Sequence, residues 1–522
     1  MIKRLCVLAS FGIWSAAHAQ PGPVKIVLPD LLAVELPRGA ADIGPQDPPL
    51  RALLESGKSG ALKVSADLSR RVGAGPVSVT WSAMDAAGKT VASRTAAVFV
   101  LPFGMTPIGT SGDENATAGN NAAHIVRDSQ GLMHMVWADS GGPTGRAGAV
   151  YRRASIAEDG TVTLETPPIY VAEAGPSDWN SYPALAADGD AVQLVWQGGG
   201  SVYTRRAAAS GALGPIVDTK ARSAGRDVGP AIVADPQGLH LATPEAVYAR
   251  STDGGMSWRT EKLPVPAGQQ LKTVSLAPGE QGSLDVAFSS VAYPLGADTK
   301  SKGSGGWWQL RTIRRLADGS WTDPQDALSG FLGWGSPKPD EDALVDWIRV
   351  APDGKGGLHA VWHGTAASRI YGNDSSYYAW RNAAGAWQSP VLLVPQDTAR
   401  GVKFSFAPSL AVGPKGAVAV SFYDIVGQAQ WYGFDSTALM LDGGRTIGAP
   451  VPVSQSVAGA VASGHPELAL STRFPAVAPT IRRSADGHAW LDVLETLIPA
   501  YPGSNGKLIV YHRVDVTASL PR

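Results

Sequence analysis

The hydrophobic positions of this chain form short apolar runs that are separated by turn residues. A recurring unit contains one apolar run, a turn rich in Asp and Gly, and a second apolar run that often ends in an aromatic residue. Its clearest copy extends from Trp347 to Trp362 and turns at Pro352-Asp353-Gly354. Such runs are typical of β-strands, and no long segment has the i, i+3, i+4, i+7 spacing of an amphipathic helix. The pattern therefore predicts an all-β fold.

The unit repeats along most of the chain. A third and often a fourth apolar run follow each copy, so the unit predicts a four-stranded meander that recurs at intervals of roughly 45–75 residues. Repeated meanders of this kind are the blades of a β-propeller. Seven blades are favoured and six are the alternative. The copies begin at residues 123, 183, 230, 273, 347, 408 and 479.

The region before the repeat has a different organisation. Residues 20–104 lack the repeated unit but contain strand-like runs at 25–28, 61–66, 77–84 and 91–100. They predict a small β-sandwich domain, immunoglobulin-like in kind, in front of a propeller at residues 105–522. An alternative is that the last of these runs closes the propeller ring.

The N-terminus has the three parts of a secretory signal. Met1-Ile2-Lys3-Arg4 is cationic, Leu5 to Trp14 is mostly apolar, and Ala17-His18-Ala19 fits a cleavage site. We therefore expect residues 1–19 to be a signal peptide and the mature protein to be periplasmic or secreted, without a membrane span. The single cysteine, Cys6, lies inside this signal, which excludes disulfides and thiolate chemistry from the mature chain.

The charge balance argues against a nucleic-acid partner. The chain has 44 Lys and Arg against 45 Asp and Glu, so it lacks the basic field of a nucleic-acid binder. The acidic run Asp340-Glu341-Asp342 lacks the ordered ligand spacing of a calcium loop. No metal and no cofactor are predicted, and the oligomeric state is left open.

One turn carries a family motif. Ser251, Asp253, Gly255 and Trp258 fit the Asp-box pattern Ser-x-Asp-x-Gly-x-x-Trp between the third and fourth strands of a blade. In such a turn Asp accepts backbone N–H groups, Gly takes a positive φ, and Trp packs between blades. Over residues 105–522 the chain therefore resembles the sialidase-like superfamily of Asp-box propellers. A similar run at Ser484 to Trp490 lies in a different kind of turn.

Blade geometry predicts where a site would lie. Successive turns of a meander alternate between the two faces of the ring, and the long irregular loops all fall on the face that carries the second-to-third and interblade connections. Carboxylates, arginines and aromatics on one such face are typical of sugar recognition. The five long loops are at 291–306, 329–345, 363–376, 454–478 and 495–506.

The resemblance also implies a catalytic set, of which the sequence carries only part. Sialidases hold the substrate carboxylate with three arginines and use an Asp acid/base and a Tyr–Glu nucleophile, but the Arg-Ile-Pro motif of the first arginine is absent here. Position alone therefore assigns the candidates. The catalytic candidates are Asp139 or Asp227 as acid/base and Tyr182 as nucleophile, and the substrate-binding candidates are Arg226, Arg400, Arg473, His363 and Trp179.

Three functions remain open at this point. The first is a sialidase-like glycoside hydrolase that acts on glycans, and the second is a non-catalytic propeller of the cell envelope that binds carbohydrate or protein. The third is a polysaccharide lyase that uses His124 or His363, Tyr182 and an arginine on a uronic acid. A glycan or polysaccharide is the expected partner in each enzymatic case.

Overall fold

A computed structural model of the chain shows two bodies of β-sheet. It describes residues 24–27, 33–36, 62–66, 75–84, 89–101, 105–140, 148–173, 181–223, 228–292, 307–327, 345–364, 375–393, 402–426, 434–442, 446–448, 451–454, 472–497 and 507–520. The predicted signal peptide lies outside these residues. Most residues of the five long loops also lie outside the described ranges. No helix in the described ranges has the length and apolar character needed to cross a membrane.

The first body is one antiparallel sheet of five strands in the order β2-β1-β5-β4-β3. The runs predicted as strands in this region are confirmed, and a second layer of a sandwich stays a prediction. The last strand, β5, pairs with β1 and β4 and does not close the ring, so that alternative was wrong. The bounds are β1 Val24–Val27, β2 Ala33–Leu36, β3 Leu62–Ala66, β4 Gly75–Met84 and β5 Thr90–Leu101.

The second body confirms the propeller. Within the described residues, seven antiparallel sheets follow one another, and each is a meander of neighbouring strands. The first four comprise β7 Ile125–Arg127, β8 Met133–Asp139, β9 Gly148–Ile156, β10 Val162–Leu164 and β11 Ile169–Glu173; β12 Ala184–Asp188, β13 Ala191–Gly198, β14 Ser201–Ala207 and β15 Leu213–Arg222; β16 Ala231–Asp235, β17 Gly238–Ala242, β18 Val247–Ser251 and β19 Arg259–Lys262; and β20 Gln269–Pro278, β21 Leu284–Ala292, β22 Trp307–Arg315 and β23 Gln325–Asp326.

The remaining three sheets complete the ring. They comprise β24 Val345–Pro352, β25 Leu358–Gly364, β26 Ser375–Arg381 and β27 Val391–Leu392; β28 Val402–Val412, β29 Ala417–Val426, β30 Phe434–Asp442, β31 Thr446–Ile447 and β32 Val451–Ser454; and β33 Thr472–Val477, β34 Arg482–Arg483, β35 Ala489–Leu497 and β36 Lys507–Asp515 together with β6 Thr106–Ser111. Short 3-10 turns lie at Glu280–Gly282, Pro414–Gly416 and Thr517–Ser519.

The seventh blade differs from the sequence prediction in one respect. Its inner strand is Thr472–Val477, which lies before the predicted start of that copy at Pro479. The chain after this strand instead forms a parallel bridge from Thr480 to Val412 of the sixth blade. The segment 479–483 therefore connects the sixth and seventh blades and does not start the inner strand of the seventh.

Buried aromatic residues fill the gaps between blades. Trp137, Trp196, Phe288, Trp362 and Phe422 lie near the ends of the second strands, and all five are buried. The cluster around Trp137 contains residues of both the seventh and the first blade, and the cluster around Trp196 contains residues of the first and second. In these two clusters the aromatic that ends the repeated unit is thus a packing element between neighbouring blades.

A strand from the N-terminal side closes the ring. The strand β6 pairs with β36, with Ser111 opposite Lys507 and Thr106 opposite Tyr511. The indole Nε1 of Trp137 donates a hydrogen bond of 3.1 Å to the Thr110 carbonyl, which ties this strand to the first blade. The two ends of the propeller are therefore held by backbone pairing as well as by packing.

The Asp-box turn has the predicted local contacts. Asp253 Oδ1 accepts hydrogen bonds from the Ser251 hydroxyl at 2.8 Å and from the Ser257 amide at 2.9 Å. Gly255 has φ of +87°, and Trp258 Nε1 donates to the Gly255 carbonyl at 3.2 Å. These hydrogen bonds hold the pKa of Asp253 at about 2, with the Ser257 hydroxyl making the largest contribution. Membership of the sialidase-like family remains a prediction.

A second repeated network involves histidine and tyrosine. His134 Nδ1 lies 2.7 Å from the Tyr151 hydroxyl and His134 Nε2 lies 3.1 Å from Asp128. The third and fifth blades repeat the histidine–tyrosine pair, with His240 and Tyr248 at 2.6 Å and His359 and Tyr378 at 2.7 Å. The histidine starts the second strand, the tyrosine is on the third, and the acid is in the first turn. These buried groups link the second and third strands of the three blades at the end away from the long-loop face.

Closure of the ring requires a glycine at position 109. A methyl group on this residue would overlap the indole ring of Trp137. We expect Gly109→Ala to lower the free energy of unfolding by about 1–3 kcal/mol, because overpacking displaces the indole or the closing strand. Urea unfolding measures this difference.

The matched control is Gly214→Ala. Its added methyl would meet only ordinary van der Waals neighbours. Equal stability of the two variants would contradict the assigned closure.

Acid should destabilise the propeller through its buried histidines. Burial lowers the pKa of His359 to about 4 and that of His363 to about 3. Between these pKa values and 6.5 the unfolded chain binds more protons at these histidines than the folded chain does. The free energy of unfolding therefore decreases as the pH falls from about 6.5 towards 4. A pKa that differs by one between the folded and the unfolded chain corresponds to about 1.4 kcal/mol of stability. Urea midpoints measured across this range give the slope.

His359→Gln should reduce that slope, because it removes one of the histidines whose pKa burial lowers. A flat stability profile in the unaltered protein would contradict the expectation.

Candidate functional site

The inner strands reach the ring axis through a repeated backbone distortion. Tyr182, Trp347, Ala407 and Phe474 have φ between +39° and +52°, a conformation that side chains other than glycine rarely adopt. Tyr182 lies just before the inner strand of its blade, and the other three lie within theirs, where strand pairing is irregular. Strain of this kind concentrates at functional sites. Here all four residues belong to one buried cluster, to which three of them contribute aromatic side chains.

The long-loop face is the one that these residues occupy. The start of β24 pairs with the end of β25, with Asp346 opposite His363. Likewise the start of β33 pairs with the end of β35, with Arg473 opposite Thr496. The starts of first strands and the ends of second strands therefore share one face, as the sequence predicted.

A segment before the first blade crosses the axis. We call residues 112–122 the axial segment. Asn121 Nδ2 donates to the carbonyls of Gly229 and Val274, both at 3.0 Å, and Asn120 Nδ2 donates to the Ala407 carbonyl at 2.6 Å. These three carbonyls belong to the third, fourth and sixth blades, which lie around the ring. The axial segment therefore lies inside the ring and binds several blades at once.

Hydrogen bonds from Thr117 extend this arrangement to the seventh blade. Its hydroxyl lies 2.8 Å from the Thr496 hydroxyl and donates to the Phe474 carbonyl at 3.0 Å. At its start the segment is held by Asp139, whose Oδ1 accepts the Gly112 amide at 2.8 Å. Asp139, predicted as an acid/base, thus has a contact that positions the axial segment.

His124 and Tyr182 share a space beside the axial segment. Gly119 has φ of +98°, and a methyl group on it would lie 3.4 Å from Tyr182 Cδ1 and 3.7 Å from His124 Nε2. The two residues are 1% and 3% exposed. Backbone carbonyls of Gly119, Val136 and Ala118 serve as hydrogen-bond acceptors for the His124 ring. The imidazole of His124 and the ring of Tyr182 therefore border the same buried position of the axial segment.

His124 is neutral at physiological pH. Burial lowers its pKa to about 4, and the positive charge of Arg349 contributes in the same direction, while nearby backbone carbonyls oppose the shift. A neutral imidazole has one nitrogen lone pair available to accept a proton. This side chain has the form that a general base requires.

Arg349 supplies a buried positive charge to the same cluster. It lies on β24 and is 8% exposed. Burial alone lowers its pKa to about 10. Among the described residues, no carboxylate and no hydrogen-bond acceptor contacts its guanidinium, and His124 is the titratable group that responds to its charge. A buried arginine without an acid nearby is an unusual feature of this ring.

The mouth of the ring has a second arginine that is paired. Arg473 Nη1 lies 2.7 Å from Glu114 and 3.2 Å from Asn115 Oδ1. Burial raises the pKa of Tyr423 to about 12, and the positive charge of Arg473 opposes part of that increase. Tyr423 packs edge-on against Phe474 with centroids 5.2 Å apart. Arg473 therefore lies beside an aromatic cluster.

His363 belongs to the same aromatic cluster. Its ring stacks on Phe406 with centroids 4.4 Å apart and lies 5.2 Å from the ring of Trp347. Burial lowers its pKa to about 3. The predicted residues Tyr182, His363 and Arg473 are thus all near the axis, on the predicted face.

Four predicted residues cannot be placed in this way. Trp179, Arg226, Asp227 and Arg400 lie outside the described residues. The proposed cluster of three arginines therefore stays a prediction, with Arg473 as its one described member.

Arg349 was not predicted as a site residue. It lies in the middle of an apolar run, where the pattern indicates a residue packed in the core. No group of three His, Cys, Asp or Glu side chains in the described ranges is arranged to hold a metal ion.

These features define the class of protein as a β-propeller with a polar cluster on its axis. The sequence matches no family model and no curated protein. The fold is similar to that of an ulvan lyase, a polysaccharide lyase bound to a GlcA(1-4)Rha3S ligand. The TM-score is 0.51 at 11% identity, over 77% of this chain and 94% of that chain.

Two further solved structures have lower similarity. A protein of unknown function from Dyadobacter fermentans has a TM-score of 0.44 at 13% identity, over 79% of this chain and 98% of that chain. An α-L-arabinanase from Penicillium chrysogenum has a TM-score of 0.40 at 13% identity, over 80% and 99%. At these identities the likeness concerns the fold alone.

Proposed function

We propose that this propeller acts on acidic polysaccharides by β-elimination at the axial cluster of His124, Tyr182 and Arg349. The observation that carries the proposal is that the neutral imidazole of His124 and the ring of Tyr182 both border Gly119, while the charge of Arg349 lowers the pKa of that imidazole. A β-propeller fold similar to that of a polysaccharide lyase supports it further. Of the three functions considered from the sequence, this one uses the residues that the axis brings together.

Each group has one role in the reaction. Arg349 neutralises the uronate carboxylate, which makes the proton on C5 more acidic. Neutral His124 accepts that proton, and the Tyr182 hydroxyl donates a proton to the glycosidic oxygen on C4. The C4–O bond breaks and a C4=C5 double bond forms, so the products are a new chain end and an unsaturated uronate. No water is consumed.

Substrate binding would also tune the base. Arg349 lowers the pKa of His124, and a carboxylate bound to Arg349 would cancel that repulsion. The imidazole then becomes a stronger base when substrate is present. This coupling links recognition of the acid to proton abstraction.

A hydrolase receives less support from the described residues. Hydrolysis needs two carboxylates, or a Tyr–Glu substitute, across the bond that breaks. Asp139 holds the axial segment, and Glu114 pairs with Arg473. The sialidase-like hydrolase and the binding platform therefore stand as the outcomes against which elimination is tested.

The first test measures unsaturated products. Purified protein should raise the ultraviolet absorbance of polygalacturonate, alginate or ulvan, whose uronates are linked through O4, and should leave neutral dextran unchanged. Tyr182→Phe and His124→Asn should each lower the rate by about 10²–10⁴-fold, because each removes a proton-transfer group. Tyr203→Phe on the same blade and His488→Asn on the surface are the matched controls.

New reducing ends without ultraviolet absorbance would show hydrolysis and contradict elimination. Binding of an acidic glycan without turnover would instead support the non-catalytic platform.

The second test concerns pH. The profile of kcat/KM reports groups of the free protein, and the base form of His124 persists down to its pKa of about 4. We therefore expect kcat/KM to fall on the acid side near pH 4, well below the 6.5 of an ordinary histidine. An acid limb near 6.5 would show that a different residue is the base.

A further inference from the structure

The side-chain amide of Asn121 joins the axial segment to two blades. Asn121 is 1% exposed, and its Nδ2 donates hydrogen bonds of 3.0 Å to the carbonyls of Gly229 and Val274. Of the short side chains, only asparagine offers two N–H donors on one nitrogen, and here each donor has one carbonyl to meet. The amide therefore fixes the axial segment against the third and the fourth blade at once.

The contact with Gly229 extends to Tyr182. A methyl group on Gly229 would overlap Cβ and the carbonyl oxygen of Tyr182, so these two residues pack directly against each other. Tyr182 has φ of +39°, and a backbone of this kind persists only where its surroundings enforce it. Asn121 holds the Gly229 side of that contact. The amide therefore helps to determine where Tyr182 lies relative to the axial segment.

The backbone of Asn121 makes a second connection, which leads to Arg349. The Asn121 carbonyl accepts the Ser275 hydroxyl at 2.8 Å, and the Ser275 oxygen accepts the amide of Val350 at 3.2 Å. Val350 follows Arg349 on β24, directly after the irregular pairing between Asp346 and Arg349. Two hydrogen bonds through Ser275 thus connect the axial segment to the strand that carries the arginine.

His124 follows Asn121 by three residues, and the two side chains border the same position. A methyl group on Gly119 would lie 3.7 Å from Asn121 Oδ1 and 3.7 Å from His124 Nε2. It would lie 3.4 Å from Tyr182 Cδ1. The Ala122 amide donates to the Gly119 carbonyl at 3.2 Å, which closes the turn that contains Asn121. The connections of one residue therefore lead to all three groups of the axial cluster.

We propose that Asn121 is the positioning residue of the axial cluster. It sets the separation of His124 and Tyr182 and ties the strand of Arg349 to the same segment. Its role in a reaction rests on the proposed function, whereas the arrangement that it holds does not. Misplacing a reacting group by about 1 Å costs on the order of 100-fold in rate, so loss of the amide slows the reaction even though Asn121 does not act on the substrate itself.

The first experiment compares Asn121→Leu with Thr219→Val in the ultraviolet assay. Each replacement keeps the branching of the side chain and removes buried donors, and the Thr219 hydroxyl donates at 2.8 Å to the Val202 carbonyl between the third and fourth strands of the second blade. Both variants should have lower thermal unfolding midpoints. Asn121→Leu should lower kcat by about 10–100-fold with KM nearly unchanged, because it alters the geometry of proton transfer. Thr219→Val should keep both constants.

Two results would overturn the positioning role. One is a kcat of Asn121→Leu equal to that of the unaltered protein. The other is an equal fractional loss of kcat in Asn121→Leu and Thr219→Val, which would show a general effect of lower stability.

Ser275→Ala tests the connection to the arginine strand. This variant should also lower kcat, and the double variant with Asn121→Leu should lose little more than Asn121→Leu alone, because both replacements break the same connection. Losses that multiply in the double variant would overturn the connection through Ser275.

Nuclear magnetic resonance separates the positioning role from the proposed function. With isotope-labelled histidine and tyrosine, the signals of His124 and Tyr182 are those that are missing from His124→Asn and Tyr182→Phe. Both signals should shift in Asn121→Leu, while those of His359 and Tyr378, at the far end of the fifth blade, should stay in place. If no acidic polysaccharide is cleaved, the proposed function fails and these signals alone decide. Shifted signals then support the arrangement, and unchanged signals overturn it.

Discussion

The pairing of β6 with β36 is the constraint on which the rest of the structure depends. A propeller has no covalent closure here, since its one cysteine lies in the predicted signal. Backbone hydrogen bonds between the first and last strands of the ring, and the Trp137 indole against Gly109, hold the first and seventh blades together. Once the ring is closed, the starts of all inner strands converge on a common axis. The polar cluster exists because of this convergence.

The axis combines two opposed requirements. Packing demands that the central space be filled, and the axial segment fills it with hydrogen bonds to the third, fourth, sixth and seventh blades. Chemistry requires groups that can take a proton or bind a charge, and the neutral His124 and Arg349, which no described carboxylate contacts, are such groups. The same segment that ties the ring together thus also forms one wall of the candidate site. Its Gly119 leaves the room in which His124 and Tyr182 meet.

Much of the fold was predictable from the pattern of apolar runs. Strand pairs, turns on Asp and Gly, and a buried aromatic at the end of the second strand repeat locally, so the blades were found by their spacing. The short strand Ala33–Leu36 was missed, and the inner strand of the seventh blade was placed too late, because Pro475 interrupts its apolar run. Ring closure by a strand outside the repeat depends on a partner about 400 residues away. No local pattern marks such a strand.

The site was only partly predictable. Tyr182, His363 and Arg473 were found because strand ends on one face of a propeller must converge. His124 was named for the lyase alternative, yet its neutral state follows from burial, which sequence does not give. Arg349 was missed because a charge inside an apolar run is normally paired, and only the assembled ring shows that it has no acid. The position of the axial segment likewise depends on contacts with four distant blades.

The most direct measurement is a crystal structure of Tyr182→Phe with a bound uronate oligosaccharide. The account predicts a uronate carboxylate against the Arg349 guanidinium and the C5 of that sugar facing the His124 ring, inside the mouth of the ring. A sugar bound on the outer edge of the blades or on the opposite face, with the space at Arg349 holding only water, would contradict it.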